Sequence, residues 1–243
     1  MKFLLEVKPI SFFSVISDQF YQAFIKDSRY LYIVDGLWNT LIITFFAVLI
    51  GVILGTLVSL VKVAHAENPK KFPILNKIAT LYLTVIRGTP IVVQLMIMYY
   101  VILSGTALSD ITTAILAFGI NSGAYVAEII RGGILSVDRG QTEAGRSLGL
   151  TQGMTMRRIV FPQALKSVLP AIGNEFIALL KDTSVAGYIG IQDLTKGGDI
   201  IRSQTYQAFT PLLATAAVYL MIVIGLTFLL NKLERRLRRS DLR

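Results

Sequence analysis

Residues 137–170 read VDRGQTEAGRSLGLTQGMTMRRIVFPQALKSVLP. This is a long polar segment in a chain that is otherwise largely apolar. A polar insert of this length is poorly suited to crossing a bilayer, where unpaired polar groups are costly. It therefore reads as an aqueous joint between lipid-embedded parts. Residues 141–148 lack strong breakers and predict a short helix, with Thr142 as N-cap and Glu143 at its positive end. Gly149 is placed to stop that helix. Thr151 is expected to cap a second helix through Val160, with Pro162 ending it. Two short helices and a turn make a compact knob. Ala144 and Gly145 keep one face small enough for another backbone to approach closely. Arg146, Arg157 and Arg158 surround it with positive charge. Taken alone, the pattern also fits an ordinary solvated basic loop.

The surrounding composition supports the lipid setting. The chain has 243 residues, 53% hydrophobic and 16% charged, with a mean hydropathy of +0.62. Soluble domains carry about 25% charged residues. The formal net charge is +9, but the charges cluster at the ends of apolar runs. There they set membrane orientation, and nucleic acid is excluded as a partner. The chain has no cysteine, which excludes disulfides, thiolate metal sites and a cysteine nucleophile. Its single histidine, His65, makes no metal site and is expected in a solvated loop. The opening MKFLLEVKPI is interrupted by Glu6 and Lys8 and lacks a signal peptide's apolar core. The first spanning helix is expected to act as the insertion signal.

A spanning helix needs about 20 apolar residues. Five segments qualify: 37–61, 91–108, 111–130, 168–191 and 209–230. The fold class is therefore all-α and polytopic, with five transmembrane helices. Residues 10–25 place Ile10, Phe13, Ile16, Phe20 and Phe24 at helical spacing and predict an amphipathic helix on the membrane surface. Residues 73–86 are read as an interfacial helix leading to Arg87-Gly88-Thr89-Pro90, with Pro90 starting the second span. The alternative is one kinked helix from 74 to 103 that buries Arg87 at high cost. The expected division is an amphipathic segment over 1–36 and one transmembrane unit over 37–243, with the polar joint at 138–165. Sixteen lysines and arginines fall in the loops after spans one and three and in the C-terminus. Six fall in the N-terminus and the other two loops. The basic side faces the cytoplasm, so the C-terminus is expected inside and the N-terminus outside.

Glu143-Ala144-Gly145, Gly149, Ile159 and Phe161-Pro162 are spaced as in the EAA loop of the membrane subunits of ATP-binding-cassette importers. That pattern is Glu-Ala-Ala, Gly, Ile and Leu-Pro. This chain has Gly145 where the pattern has Ala and Phe161 where it has Leu. Arg87-Gly88-Thr89-Pro90, the stretch GAYVAEIIRGG at 123–133, Gly140-Gln141 and Lys181-Asp182-Thr183-Ser184 resemble the signature blocks of permeases for polar amino acids. The resemblance runs from about Gly36 to the C-terminus. It implies a type I importer fold. Two permease subunits, identical or paralogous, line the pathway, and two copies of an ATP-binding subunit sit below. An extracytoplasmic solute-binding protein delivers the amino-acid substrate above. It also implies that Glu143, Ala144, Gly145, Arg146, Gly149, Arg157 and Pro162 couple to the ATPase. The location implied is a bacterial inner membrane. No G-x-x-x-x-G-K-[ST] phosphate loop occurs in the chain. The expectation is that ATP and Mg bind the partner ATPase, that this chain carries no cofactor, and that it is not an enzyme.

Candidate pathway residues follow from intramembrane polarity. Lys181 and Asp182 interrupt the fourth span, with Thr183 and Ser184 able to re-pair a broken backbone. An amino acid needs an acceptor for its ammonium and donors for its carboxylate, which this cluster supplies. Equally weighted is the reading that both charges neutralise Glu128 or Glu175. Glu128 is expected to bridge Arg131, with gating second. Asn121, Ser122 and Gln94 suit tight packing or a pore lining, and packing leads for the first two. Arg87 is read as an interfacial anchor ahead of a ligand clamp. A competing function is an ion-gradient-driven carrier or channel using Asp182 and Glu128. A third is a non-transporting scaffold.

Overall fold

The computed structural model describes residues 17–238, and among these the regular structure is entirely helical. Helix α1 (Tyr30–Glu67) is the longest. It is followed by α2 (Pro73–Gly88), α3 (Ile91–Ile102), α4 (Asp110–Leu135) and the knob helices α5 (Arg139–Ser147) and α6 (Gln152–Thr155). Then come α7 (Phe161–Asp182), α8 (Leu194–Thr205) and α9 (Phe209–Arg238). The first expected span begins earlier than the apolar run, at Tyr30. Residues 17–25 are helical, and Ala23 and Phe24 pack on Ile201 of α8. Residues 10–16 of the expected amphipathic helix lie outside the described residues.

Lipid tails are as apolar as leucine, so membrane helices associate through close packing rather than burial from water. The α1–α4 pair shows this directly. Gly51 and Gly55 of α1 lie against Ser122 and Ala127 of α4. A Cβ on Gly51 would stand 2.8 Å from Ser122 Oγ, and one on Gly55 2.8 Å from Ala127 N. Around this seam Ile43, Leu95, Phe118 and Leu179 are buried in one core drawn from α1, α3, α4 and α7. Helix α8 joins on the other side, where Leu194 N donates to Thr40 Oγ1 at 3.0 Å and Asn39 Nδ2 donates to Gln192 O at 2.9 Å.

Helices α1, α4 and α9 are long and apolar enough to cross a membrane, and α2 with α3 forms a fourth candidate bent by 111°. Helix α7 is not in that group, because Lys166, Glu175, Lys181 and Asp182 dilute its apolar character. The bend disposes of a single kinked helix over 74–103. Thr89, restrained by the following proline, is extended (φ −125°, ψ 147°), and so is Pro90. Two backbone carbonyls near the break, of Ile86 and Thr89, accept from Gln94 Nε2 at 2.7 and 3.0 Å. His65 is not in a loop. It sits in the last turn of α1, with Nδ1 2.8 Å from Lys71 O.

Candidate pathway and coupling sites

The knob is built from α5, the turn at Gly149 and a second helical stretch. Thr142 is not the N-cap. Helix α5 starts three residues earlier, capped by Asp138, whose Oδ1 accepts from Gly140 N at 2.6 Å. A carboxylate also complements the helix's positive end, an advantage the hydroxyl of Thr142 lacks. At the other end Gly149 adopts φ +80°. Gly149 N donates to Arg146 O at 3.0 Å and Leu150 N to Gly145 O at 3.1 Å, the paired closure that glycine permits. Thr151 Oγ1 accepts from Met154 N at 3.4 Å and caps α6. Pro162 does not end this helix. The backbone widens at Met156–Val160, Phe161 N donates to Met156 O, and α7 continues with Pro162 in its first turn. A proline lacks the N–H that a regular turn would use, and an opening turn tolerates that loss.

Glu143, Ala144, Arg146, Arg157 and Pro162 are exposed, whereas Gly145 is buried. A Cβ at Gly145 would come 2.8 Å from Thr155 Cγ2 and 2.9 Å from Ile159 Cδ1. Its small size therefore lets the two halves of the knob pack on each other. The face left open to another chain carries Glu143 and Ala144, with Leu148 81% exposed beside them. Gln163 Nε2 also reaches Gln141 Oε1 at 3.3 Å, tying the knob to the start of α7.

The pathway candidates fall into separate clusters. Asn121 is buried and its Nδ2 donates to Gln94 Oε1 at 2.9 Å, so this pair braces the bend between α2 and α3. Ser122, fully buried, donates to Glu175 Oε1 at 3.0 Å. Glu128 accepts from Arg131 Nη2 at 2.7 Å and lies 3.9 Å from Arg87 Nη1. The Arg87 guanidinium also stands 5.7 Å from the Tyr125 ring centre, a cation–π arrangement. Arg87 thus marks the bend and shares a carboxylate with α4.

Lys181 and Asp182 close α7, and the chain then tightens into a 3₁₀ turn over Thr183–Ile189 that ends at Gly190 with φ +85°. Thr183 is buried and donates to Leu180 O at 2.7 Å, while Ser184 is half-buried. Both charged side chains are exposed. Among the described residues neither forms an ion pair with Glu128 or Glu175. Glu175 is a residue the sequence argument treated only as a counter-charge. It precedes Asp182 by two helical turns and so shares its face of α7. That seven-residue spacing was the available signal. No group of three or more His, Asp or Glu side chains among the described residues is placed to hold a metal ion.

At its outer end α8 carries a ladder in which Asp199 accepts from Lys196 Nζ at 3.1 Å and Arg202 Nη2 at 2.6 Å. Arg202, then Lys196, hold the Asp199 carboxyl below its ordinary range. Burial pushes the Asp193 carboxyl up, against the backbone N–H groups of Thr195 and Lys196 that it caps.

Residues 51–239 match the family described as the binding-protein-dependent transport system inner membrane component, and the chain belongs to that family. The arginine transport system permease protein ArtQ of Bacillus subtilis (strain 168) is 38% identical over 212 residues, 86% of this chain and 94% of that protein. The glutamine transport system permease protein GlnP of Escherichia coli (strain K12) is 37% identical over 209 residues, 85% and 93% of the two chains. A crystal structure of an amino acid ABC transporter with histidines superposes with a TM-score of 0.80 at 43% identity, covering 88% of this chain and 98% of that one. An inward-facing MetNI methionine ABC transporter shares the fold, with a TM-score of 0.71, 22% identity and coverage of 85% and 96%. The chain is a membrane permease subunit of an ABC importer and not an enzyme. Membership of the family brings a separate ATPase and a binding protein as partners.

Proposed function

We propose that this chain forms the translocation pathway of an ATP-driven importer for polar amino acids. The observation that carries this reading is the knob: a capped helix pair with Glu143 and Ala144 exposed, in a chain whose relatives are arginine and glutamine permeases. Two copies of an ATP-binding subunit grip the knobs of two permeases, either two copies of this chain or one and a paralogue. An extracytoplasmic solute-binding protein delivers the amino acid. The unit over 37–243 sits in a bacterial inner membrane with five spans. Its N-terminus is outside and its C-terminus is cytoplasmic, and 1–36 forms an amphipathic segment. The chain needs no cofactor of its own.

In this reading Lys181 and Asp182 serve the carboxylate and ammonium of the substrate, with Thr183 and Ser184 re-pairing the backbone where the helix tightens. Asn121 and Ser122 line the inner side of the bundle, with Glu175 behind them. Gln94, Arg87 and Glu128 hold the bend that borders it. Closing of the ATPase dimer pushes the knobs together. Glu143, Ala144, Gly145, Arg146, Gly149, Arg157 and Pro162 pass that displacement into α7 and so to the break at Lys181. Reconstitution of the complex into vesicles tests this. Lys181→Ala and Asp182→Ala are expected to abolish uptake while the complex assembles and hydrolyses ATP. Uptake that persists without any ATPase or binding protein would instead favour an ion-gradient carrier, a class the family match does not support.

A further inference from the structure

The cytoplasmic ends of α1 and α4 and the start of both knob helices enclose a groove of about 530 Å³. One wall is cationic, formed by Lys62 of α1, Arg131 of α4 and Arg139 of α5. Glu67 is its one carboxylate. Arg131 shares Glu128 at 2.7 Å, and Lys62 donates to the neutral Thr80 Oγ1 at 2.9 Å. Among the described residues Arg139 forms no ion pair. The other wall is apolar and includes Ile134 and Leu135. Leu135 is 64% exposed, so an open leucine stands beside a surplus of positive charge. Lys62 follows the uncharged run at 37–61 and Arg131 follows Ile130. The register of both helices thus puts the cations at the hydrocarbon boundary.

We propose that this groove binds an anionic phospholipid of the leaflet beside the knob. Its phosphodiester sits among Lys62, Arg131 and Arg139, and an acyl chain lies along Ile134 and Leu135. Guanidinium groups match phosphate oxygens in a forked geometry, and basic pockets between helix ends suit headgroups. The apolar wall selects a lipid over a free anion, which gains nothing from Leu135. Lys62 and Arg131 belong to membrane helices and Arg139 to the knob, so the lipid fastens the knob to the bilayer. The proposed topology enters only in naming the leaflet. Lipid retention is measured without transport, so failure here and failure of the importer reading are distinguishable.

The test is native mass spectrometry of the full-length chain assembled with its ATPase, titrated with phosphatidylglycerol, phosphatidylcholine or glycerol phosphate. Phosphatidylglycerol should be retained in preference to phosphatidylcholine. Lys62→Gln/Arg139→Gln should weaken that retention about tenfold or more. Lys62→Arg/Arg139→Lys should keep it, which guards against a merely misfolded neutral variant. Removing the same charge elsewhere, by Lys70→Gln/Lys71→Gln, should leave it unchanged. Equal retention of the two lipids overturns the proposal. So does an equal loss in the control variant, which would signal bulk charge alone. Full displacement by glycerol phosphate would make this a soluble-anion site. Loss of lipid when the ATPase binds would show that the ATPase covers the groove.

Discussion

Gly145→Ala converts the knob to the residue that the importer loop pattern carries at this position, yet the packing forecasts damage. The new methyl would lie 2.8 Å from Thr155 Cγ2, 3.0 Å from Thr155 Oγ1 and 2.9 Å from Ile159 Cδ1. Ile159 presents the free end of a flexible side chain and can turn aside. Thr155 is fully buried and β-branched, so its χ1 is stiff. Alanine in a helix interior gains about 1 kcal/mol over glycine, whereas overpacking costs roughly 1–3 kcal/mol. The expected net loss is about 0–2 kcal/mol. Thr155 Oγ1 has no hydrogen-bond partner, so Thr155→Ala removes both obstructing atoms along with an unsatisfied hydroxyl. The double variant Gly145→Ala/Thr155→Ala should therefore recover what the first change loses, with a coupling of about 1–2 kcal/mol, within the range for touching residues. Thermal unfolding of the purified complex reads the stability. The ATP hydrolysed per substrate transported reads the coupling. Additive effects of the two changes, or a Gly145→Ala chain more stable than the parent, would refute the claim that Thr155 occupies the place of the methyl.

Gln94→Ala deprives the Ile86 and Thr89 carbonyls and Asn121 of a partner; a stability loss of about 1–3 kcal/mol is expected, and unchanged unfolding would show that the bend is held elsewhere. Glu143→Lys should leave insertion and assembly intact while ATP hydrolysis continues without uptake, and normal transport by this variant would remove the coupling assignment. Gly149→Asp forces a branched residue into φ +80° at a cost of about 1–2 kcal/mol, so it should uncouple and also loosen the knob, as seen by limited proteolysis. Asp199 has a carboxyl lowered mainly by Arg202, so its stabilisation is complete above the unfolded value of about 3.9 and is lost as pH falls through the lower folded value. Melting temperature should be flat near neutrality and drop below about pH 4, and Arg202→Ala should flatten that acid limb.

The all-helical class and the long helices were legible because apolar length is a direct reading of lipid thickness. The run at 37–61 became the centre of α1, and 111–130 and 209–230 lie inside α4 and α9. Gly149 was legible as a stop because few residues adopt a positive φ without strain. Boundaries were less so. Asp138 and Thr142 are both acceptable caps, and the choice depends on how α5 meets α4. Pro162 carries two opposite local meanings, end or first turn, which the widened backbone at Met156–Val160 decides. The role of Gly145 was hidden because its neighbours Thr155 and Ile159 come from the next helix. Sequence polarity nominated Gln94, Asn121, Ser122 and Glu128 together, but pairing between helices sorts them into separate braces.

Two surfaces of the bundle ask for different surroundings. Helix α9 exposes Phe209, Leu213, Leu220, Ile224 and Phe228, and such a face is at home in hydrocarbon. The end of α7 exposes Lys181 and Asp182. Each charge turned toward hydrocarbon near the middle of a span costs about 2.5–3.5 kcal/mol or more, and the 3₁₀ turn that follows has backbone groups in need of partners. With α7 as the proposed fourth span, that edge therefore faces water or protein. Among the described residues this chain supplies no counter-ion to cover it. A second permease placed against that edge, with water between the two copies, satisfies both charges without burying either. The lone chain is then half of a pathway. The same edge lies at the far end of α7 from the knob, so a push at Glu143 reaches Lys181 along a single helix.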